Sequence, residues 1–413
     1  LKNLIGNLGV GRFLQHGRNY YNGEVYKLSH RGSVVGDHTV LSWGVEFQRE
    51  WFRNSLLEWE LLDSAGFALP PREQTGGGDA NTLRLTKNAR ASYAMSSYRF
   101  AGFAALVHKW DDNLFHYTLN FGLRTGFWQG NKVSFLNPRL GMEFSPISKS
   151  NHRVWFSVGA YEQALTYKEV INLEGEILIP KYAQRSWQGI LGYEYNFRAS
   201  GRPFRFTAEL YYKYMPNLIP YQVENLRIKY LPELNAKGFA EGLDLRIFGE
   251  FVKGIDSWFS LSLLKSAENI GGDDDGFLTT PSDRRYQVSI YFQDYFPNND
   301  SWKLYIGATY SDGVPFGPPN SRKTSVEFRL PAYKRLDVGV SKLLTPNIKI
   351  FQNRMDVLLS LEVYNLLDIE NVVGYQWVKV VPNTASLTGY FDLYGVPSHL
   401  TGRLVNFKCS LSF

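Results

Sequence analysis

The last eleven residues, Arg403-Leu404-Val405-Asn406-Phe407-Lys408-Cys409-Ser410-Leu411-Ser412-Phe413, alternate almost without fault. Successive side chains of a strand point to opposite faces. Val405, Phe407, Cys409, Leu411 and Phe413 therefore share one face, and Leu404, Asn406, Lys408, Ser410 and Ser412 share the other. One face is apolar throughout and the other mostly polar, as in a strand with lipid on one side and a wet lumen on the other. Strand periodicity alone also allows a soluble sandwich, so the rest of the chain has to decide.

Composition narrows the field. At 413 residues the chain is long enough for several globular domains or one large barrel. Apolar residues make up 44%, yet no run approaches the length of about eighteen that a membrane-crossing helix needs. Any membrane span must then be built from strands. Aromatic residues reach 15%, which suits the girdles where a barrel meets lipid headgroups. Cys409 is the only cysteine, which excludes a disulfide framework and a cysteine-based zinc site. The net charge of +6 is diffuse, with no Lys/Arg block marking a nucleic-acid partner. The chain opens at Leu1 in the middle of a pattern, without a charged and apolar leader, which reads as a fragment.

Working back from Phe413, strands are expected near 354–366, 333–343, 301–311, 284–295, 254–265, 239–251, 204–215, 186–197, 153–163, 133–145, 115–127 and 97–109. Weaker candidates lie near 52–62, 36–50, 22–33 and 7–16, for about 16–17 in all. Met355, Val357, Leu359, Leu361 and Val363 oppose Arg354, Asp356, Ser360 and Glu362. The connections then alternate between short ones, such as Asp111-Asp112-Asn113, and long ones, near 63–96, 164–185, 216–238, 266–283, 312–332 and 367–402. Outer-membrane barrels have short periplasmic turns and long outer loops, whereas a sandwich has no reason to lengthen every second loop. If Phe413 ends at the periplasmic side, every long loop falls outside. Val34 to Gly36 would then be an unusually short outer loop.

The expected fold is all-β: residues 1–413 form part of one transmembrane antiparallel up-and-down β-barrel. Several stretches resemble those of TonB-dependent outer-membrane receptors. Tyr333-Lys334-Arg335-Leu336-Asp337-Val338 is similar to one family strand, and Glu362-Val363-Tyr364-Asn365-Leu366-Leu367-Asp368 to a family strand end. Asn371 to Trp377, Asn137-Pro138-Arg139, Asp283-Arg284-Arg285 and Phe292-Gln293-Asp294-Tyr295 fit the same pattern, and the terminal Phe413 resembles the barrel-insertion signal. The resemblance implies a barrel of 22 strands around an N-terminal plug with a TonB box. Plug, TonB box and the first strands would lie outside this chain. It also implies a Gram-negative outer-membrane location, outer-membrane lipid around the wall, and partnership with TonB-ExbB-ExbD through that absent region. The expected function is import of a scarce small-molecule, glycan or peptide substrate with TonB-supplied energy. The alternative is a passive porin or a protein-secretion barrel. A surface lipoprotein lid would belong to one subfamily, whose pattern Asp368 to Trp377 departs from.

No catalytic motif stands out, and the seven histidines show no ligand spacing, so neither an enzyme nor a cofactor is expected. Asp273, Asp274 and Asp275, set among glycines, offer oxygen ligands for Ca²⁺ on an outer loop, or simply a solvated turn. Pro315-Phe316-Gly317-Pro318-Pro319 is a stiff aromatic stretch on another outer loop. Glu194, Glu209, Lys213, Asp244, Arg246, Glu250, Arg285, Arg335, Asp337, Arg354, Asp356 and Glu362 are too many charges for a lipid face, where one costs about 2–4 kcal/mol at the midplane. They are expected on the lumen wall, to hydrogen-bond the plug, with substrate selection as the alternative role.

Overall fold

Alternating segments of this length satisfy their backbone only by pairing side by side, and they do so in one antiparallel sheet. In this computed structural model, residues 12–63, 84–172, 175–224, 227–272, 274–296, 299–318, 322–344, 349–350, 353–354, 356–380 and 392–412 are described. β1 (Arg12–Gly17) and β2 (Tyr20–Val35) both pair with β3 (Thr39–Asp63). The sheet continues through β4 (Arg84–Asp111), β5 (Phe115–Trp128), β6 (Val133–Pro146), β7 (His152–Gln163), β8 (Gln184–Ala199) and β9 (Arg202–Leu218). After the loop hairpin β10 (Tyr221–Glu224) and β11 (Arg227–Tyr230), it resumes with β12 (Ala236–Val252), β13 (Ile255–Ile270), the short β14 (Leu278–Thr279), β15 (Tyr286–Phe296) and β16 (Asn299–Ser311). A second loop hairpin, β17 (Pro315–Phe316) and β18 (Phe328–Arg329), holds the single helical turn Arg322–Ser325. Then come β19 (Tyr333–Leu344), the small hairpin β20 (Lys349–Ile350) and β21 (Asn353–Arg354), β22 (Asp356–Tyr364), the hairpin β23 (Val372–Val380) and β24 (Asp392–His399), and β25 (Leu404–Ser412).

The main sheet holds 17 strands. Their boundaries differ from the sequence expectation at the N-terminal end. The candidates 36–50 and 52–62 are one unbroken strand, β3, and 22–33 lies within β2, whose line β1 extends along the same partner. The turn at Gly36–His38 consequently lies at the same end as Asp112–Leu114, since Thr39 pairs with His108. It is a short turn on the short-turn side, and the anomalous outer loop disappears. One connection at the opposite end is short, the turn between β5 and β6, where Lys132 takes φ 57°.

Tight turns follow from local chemistry. Ser200 (φ 52°) and Gly201 (φ 76°) both adopt the left-handed region between paired Ala199 and Arg202, which makes a two-residue hairpin whose twist matches its strands. Asp112 caps its turn: its Oδ1 accepts from the amides of Leu114 (2.6 Å) and Phe115 (2.7 Å), and its Oδ2 accepts from the Tyr117 hydroxyl. Those bonds hold its carboxyl below the usual carboxylate range.

Register sorts the two faces. Val405, Phe407, Cys409 and Leu411 lie opposite Val363, Leu361, Leu359 and Val357, and this apolar face continues through Val340, Leu304 and Ile290. Phe407 is 68% exposed and Val405 62%, a face left for lipid. Phe413 lies outside the described residues. Two aromatic bands bound the lipid face. Near the short turns Trp110 stacks on Tyr117, which meets Phe144 edge to face, and Tyr195, Phe197, Phe204 and Phe251 form a second chain there. Tyr212 with Phe239 and Tyr286 with Tyr310 mark the other border. Lys342 extends its ammonium to 4.7 Å from the Trp302 ring at the short-turn border, with its stem along the apolar face. Girdles at both interfaces are what a membrane-spanning barrel wall requires.

Candidate functional site

The inner face collects what the lipid face excludes. At its long-loop end, the segment between β7 and β8 turns inward instead of standing away from the wall. Leu165 and Val170 are fully buried against Trp128 and Ile219. Burial of two such side chains contributes about 1.5–3 kcal/mol each. Arg99 straps the segment to the wall. Its Nη2 donates to the Leu165 carbonyl (2.6 Å), its guanidinium lies 4.7 Å over the Trp128 ring, and its Nε is 2.9 Å from the Glu50 carboxylate. Trp128 Nε1 donates to Ser97 Oγ, which donates to Glu50 in turn. Glu169 closes the base of the segment by accepting from the Thr166 amide (2.6 Å) and Gln184 Nε2 (2.7 Å). Burial raises the Tyr182 and Tyr230 phenols above their ordinary range and keeps these loop residues neutral.

Beneath this segment lies a cavity of about 920 Å³, walled by the inner faces of β2 to β9. Tyr167 descends from the segment into it and stacks on Tyr21 (4.4 Å) and Phe52 (4.7 Å). Three acidic residues line the cavity, and each already holds a cation: Glu46 pairs with Lys27, Glu50 with Arg99, and Glu162 with Arg185. Arg124, Arg139 and Lys213 line the same space and have no carboxylate partner among the described residues. Arg139 rests 4.2 Å over the Tyr161 ring. Asn137, directly across from Arg124, is 1% exposed, and neither of its amide atoms has a hydrogen-bond partner among the described residues.

The expected lumen residues fall mostly on this inner face but in several clusters. Glu194 joins Arg153 (2.8 Å) and Asn196 near the short turns, with Arg205 at 3.9 Å. Glu209 lies opposite Asp244, and Arg246 packs between the rings of Phe248 and Trp258. Glu250 caps the β12–β13 turn by accepting from the Gly254 amide. Arg285 is exposed near Asp312 (3.9 Å) at the long-loop end. Asp356 lies opposite Ser412 on the inner face, and Glu362 accepts from Tyr364 and Asn406. Arg354 is the departure: its backbone pairs with Lys349 in the small hairpin β20–β21, outside the wall, because β22 begins only at Asp356. Of the aspartate cluster, Asp273 lies outside the described residues, while Asp274 and Asp275 are exposed. Among the described residues no group of three or more His, Cys, Asp or Glu is placed to hold a metal ion.

The strand-end motifs have a local physical purpose. Arg335 Nε donates a bifurcated hydrogen bond to both carboxylate oxygens of Asp337, which also accepts from the Asn365 amide. Asn365, at φ 51°, exchanges hydrogen bonds with Ile369, and Asn371 brackets both backbone groups of Lys334. Asp368 accepts from the Arg403 amide (2.7 Å). Arg335, Asp337, Asn365, Asp368 and Asn371 thus tie the bases of the last outer loops to three strands. The residues sequence reading missed are Arg99, Arg124 and Tyr167. The first two sit at inner-face parity in strands already recognised, but nothing in the sequence shows that the loop bearing Tyr167 folds back over them.

A lipid-facing sheet with aromatic girdles, short turns at one end, long loops at the other and a polar inner wall defines the wall of an outer-membrane β-barrel. The chain belongs to the family described as TonB dependent receptor-like, beta-barrel, whose model matches residues 3–366. It is thus a protein of the Gram-negative outer membrane. No curated protein sequence matches it. Among solved structures, it is similar to the ferric yersiniabactin uptake receptor FyuA from Yersinia pestis, at 14% identity and TM-score 0.59, covering 96% of this chain and 55% of that one. It is also similar to the siderophore receptor PiuA from Acinetobacter baumannii, at 11% identity and TM-score 0.55, covering 95% and 56%. BauA, the ferric preacinetobactin receptor from the same organism, is 13% identical with TM-score 0.54, covering 97% and 56%. The chain therefore spans little more than half the length of these proteins, and at such identities they show the fold alone.

Proposed function

We propose that this chain forms the larger part of the barrel wall of a receptor that captures a scarce solute at the outer face and imports it with energy supplied by TonB. The protein performs no covalent chemistry in this reading; the TonB-ExbB-ExbD complex acts through a region outside this chain. What carries the proposal against a passive pore is the inward-packed segment between β7 and β8. The cluster of Trp128, Leu165, Val170 and Ile219 holds this segment inward against the wall, above a cavity of about 920 Å³. The names of the solved relatives add support for a metal chelate as one solute class.

Planar-bilayer recording on the full receptor purified from outer membranes tests the proposal without knowledge of the solute. The expected trace is closed in the absence of TonB. Steady ohmic conductance through the intact protein would replace the importer with a porin.

A further inference from the structure

Three neighbouring short turns repeat one pattern. Ile147-Ser148-Lys149 in the β6–β7 turn, Arg202-Pro203-Phe204 after the β8–β9 turn and Phe251-Val252-Lys253 at the β12–β13 turn each set a cation two residues from an apolar side chain. Ile147 is 41% exposed and Phe251 39%, and Phe204 meets Phe251 edge to face within the aromatic band of the lipid face. The turns stand side by side, because β6 to β9 pair in order and β12 pairs with both β9 and β13. The Asn196 amide donates to the Asn151 carbonyl (2.8 Å) and Arg202 Nη1 donates to the Phe251 carbonyl, so each turn is tied to the next. The turns on either side carry acids in the equivalent place, in Trp110-Asp111-Asp112 and in Asp300-Ser301-Trp302. The basic arc is thus a distinct sector of the rim. Lys149, Arg202 and Lys253 have no carboxylate partner among the described residues. Of the nearby acids, Glu194 holds Arg153, Glu250 accepts from the Gly254 amide, and Asp256 falls on the lumen side of β13 with Trp258. The three cations stand at turn tips or, for Arg202, at the lipid-face parity of Phe204, away from the lumen wall.

We propose that Lys149, Arg202 and Lys253 form a docking surface for anionic phospholipid headgroups of the periplasmic leaflet. Short turns of outer-membrane barrels face the periplasm. A cation beside an exposed apolar side chain at this border keeps its stem in hydrocarbon and its charge at the depth of the headgroup phosphates. Each such cation favours an anionic lipid surface about fivefold. Guanidinium and ammonium groups both donate charge-assisted hydrogen bonds to phosphate oxygens. The surface belongs to the wall itself, so an importer and a porin built on this wall would both carry it.

The test uses the full receptor purified from outer membranes and held in detergent with equal amounts of phosphatidylglycerol and phosphatidylethanolamine, the bound lipids being counted by native mass spectrometry. The wild type is expected to retain phosphatidylglycerol in preference. The combined variant Lys149→Gln, Arg202→Gln, Lys253→Gln is expected to lose roughly tenfold or more of that preference. A matched control, Arg49→Gln, Lys265→Gln, Lys334→Gln, removes the same charge from the opposite border, where these cations lie over Trp51, Phe239 and Tyr310, and is expected to bind like the wild type. Each variant is checked for a heat-modifiable gel shift; should the combined variant not fold, the pair Lys149→Gln, Lys253→Gln at exposed turn tips is measured, with a severalfold loss expected. No preference in the wild type, or an equal loss in the variant and its control, overturns the assignment and leaves the importer reading as it stands.

Discussion

Val357, Leu359 and Ser360 show how much a single position on this wall depends on parity. Val357 and Leu359 lie on the face shared with Leu411 and Cys409, while Ser360 lies opposite Lys408 on the inner face. Arginine in place of Val357 or Leu359 is expected to cost about 2–4 kcal/mol near the midplane and to reduce the heat-modifiable, membrane-inserted fraction. Ser360→Arg is expected to insert like the wild type, and equal behaviour of all three would reject the facing. Asp112 supplies a prediction in the other direction, at a solvated turn. Its carboxyl is depressed in the folded state, so its stabilisation is present above the ordinary carboxylate range and lost as pH falls through the lowered value. Protection of the Leu114 and Phe115 amides, measured against the intrinsic exchange rate at each pH, should therefore fall in strongly acidic buffer, whereas Asp112→Ala, which has no acceptor, should show low protection at every pH. Both residues were legible in the sequence, Leu359 by alternation and Asp112 as a turn former. Arg99 was not, because its three partners lie 49, 29 and 66 positions away in Glu50, Trp128 and Leu165, and only strand register brings them together.

The elements differ in how plainly the sequence marks them, for physical reasons. Strands from β5 to the C-terminus follow clear alternation and short turns. β3 reads as two strands in the sequence because its 25 residues exceed what one bilayer crossing needs, and the excess above the long-loop border looks like a separate strand. The loop between β7 and β8 was read only by its length; its inward packing depends on Arg99 and the buried Glu50. Arg99→Ala would leave that carboxylate uncompensated and free the Leu165 carbonyl, a loss of up to about 3–5 kcal/mol when a buried pair is broken. The expected outcome is faster cleavage of the 164–183 segment by protease added to intact cells, with barrel migration unchanged. An unchanged cleavage rate would remove the strap from the account. Close packing within the wall gives a further case, since the Trp155 ring on the neighbouring strand occupies the space that a Cβ at Gly192 would take. Any side chain there must displace the indole, so Gly192→Leu should lower the thermal midpoint of the barrel, typically by about 1–3 kcal/mol of overpacking.

For the whole molecule, strand direction constrains how the wall is completed. Of the 17 strands in the main sheet, β14 is a two-residue segment and β1 continues the line of β2, which leaves fifteen spanning lines among the described residues. Each runs opposite to its neighbour, so β2 and β25, the two edges, both run toward the short turns. Among the described residues no pairing joins them. An unpaired strand edge cannot persist in hydrocarbon, where every backbone group needs a partner. Direct closure would make β2 and β25 parallel in a wall of odd number, whereas bacterial single-chain barrels carry an even number of antiparallel strands. An odd number of further strands between the two edges meets both requirements, and the 22 strands of the family barrel would set that number at seven. Cysteines placed at Leu28 and Phe407, in a Cys409→Ser background, distinguish the two closures in the protein assembled in outer membranes. They are expected to remain uncrosslinked under oxidation because other strands lie between them. A disulfide-linked product would instead make β2 and β25 neighbours, and with them a barrel closed by this chain alone.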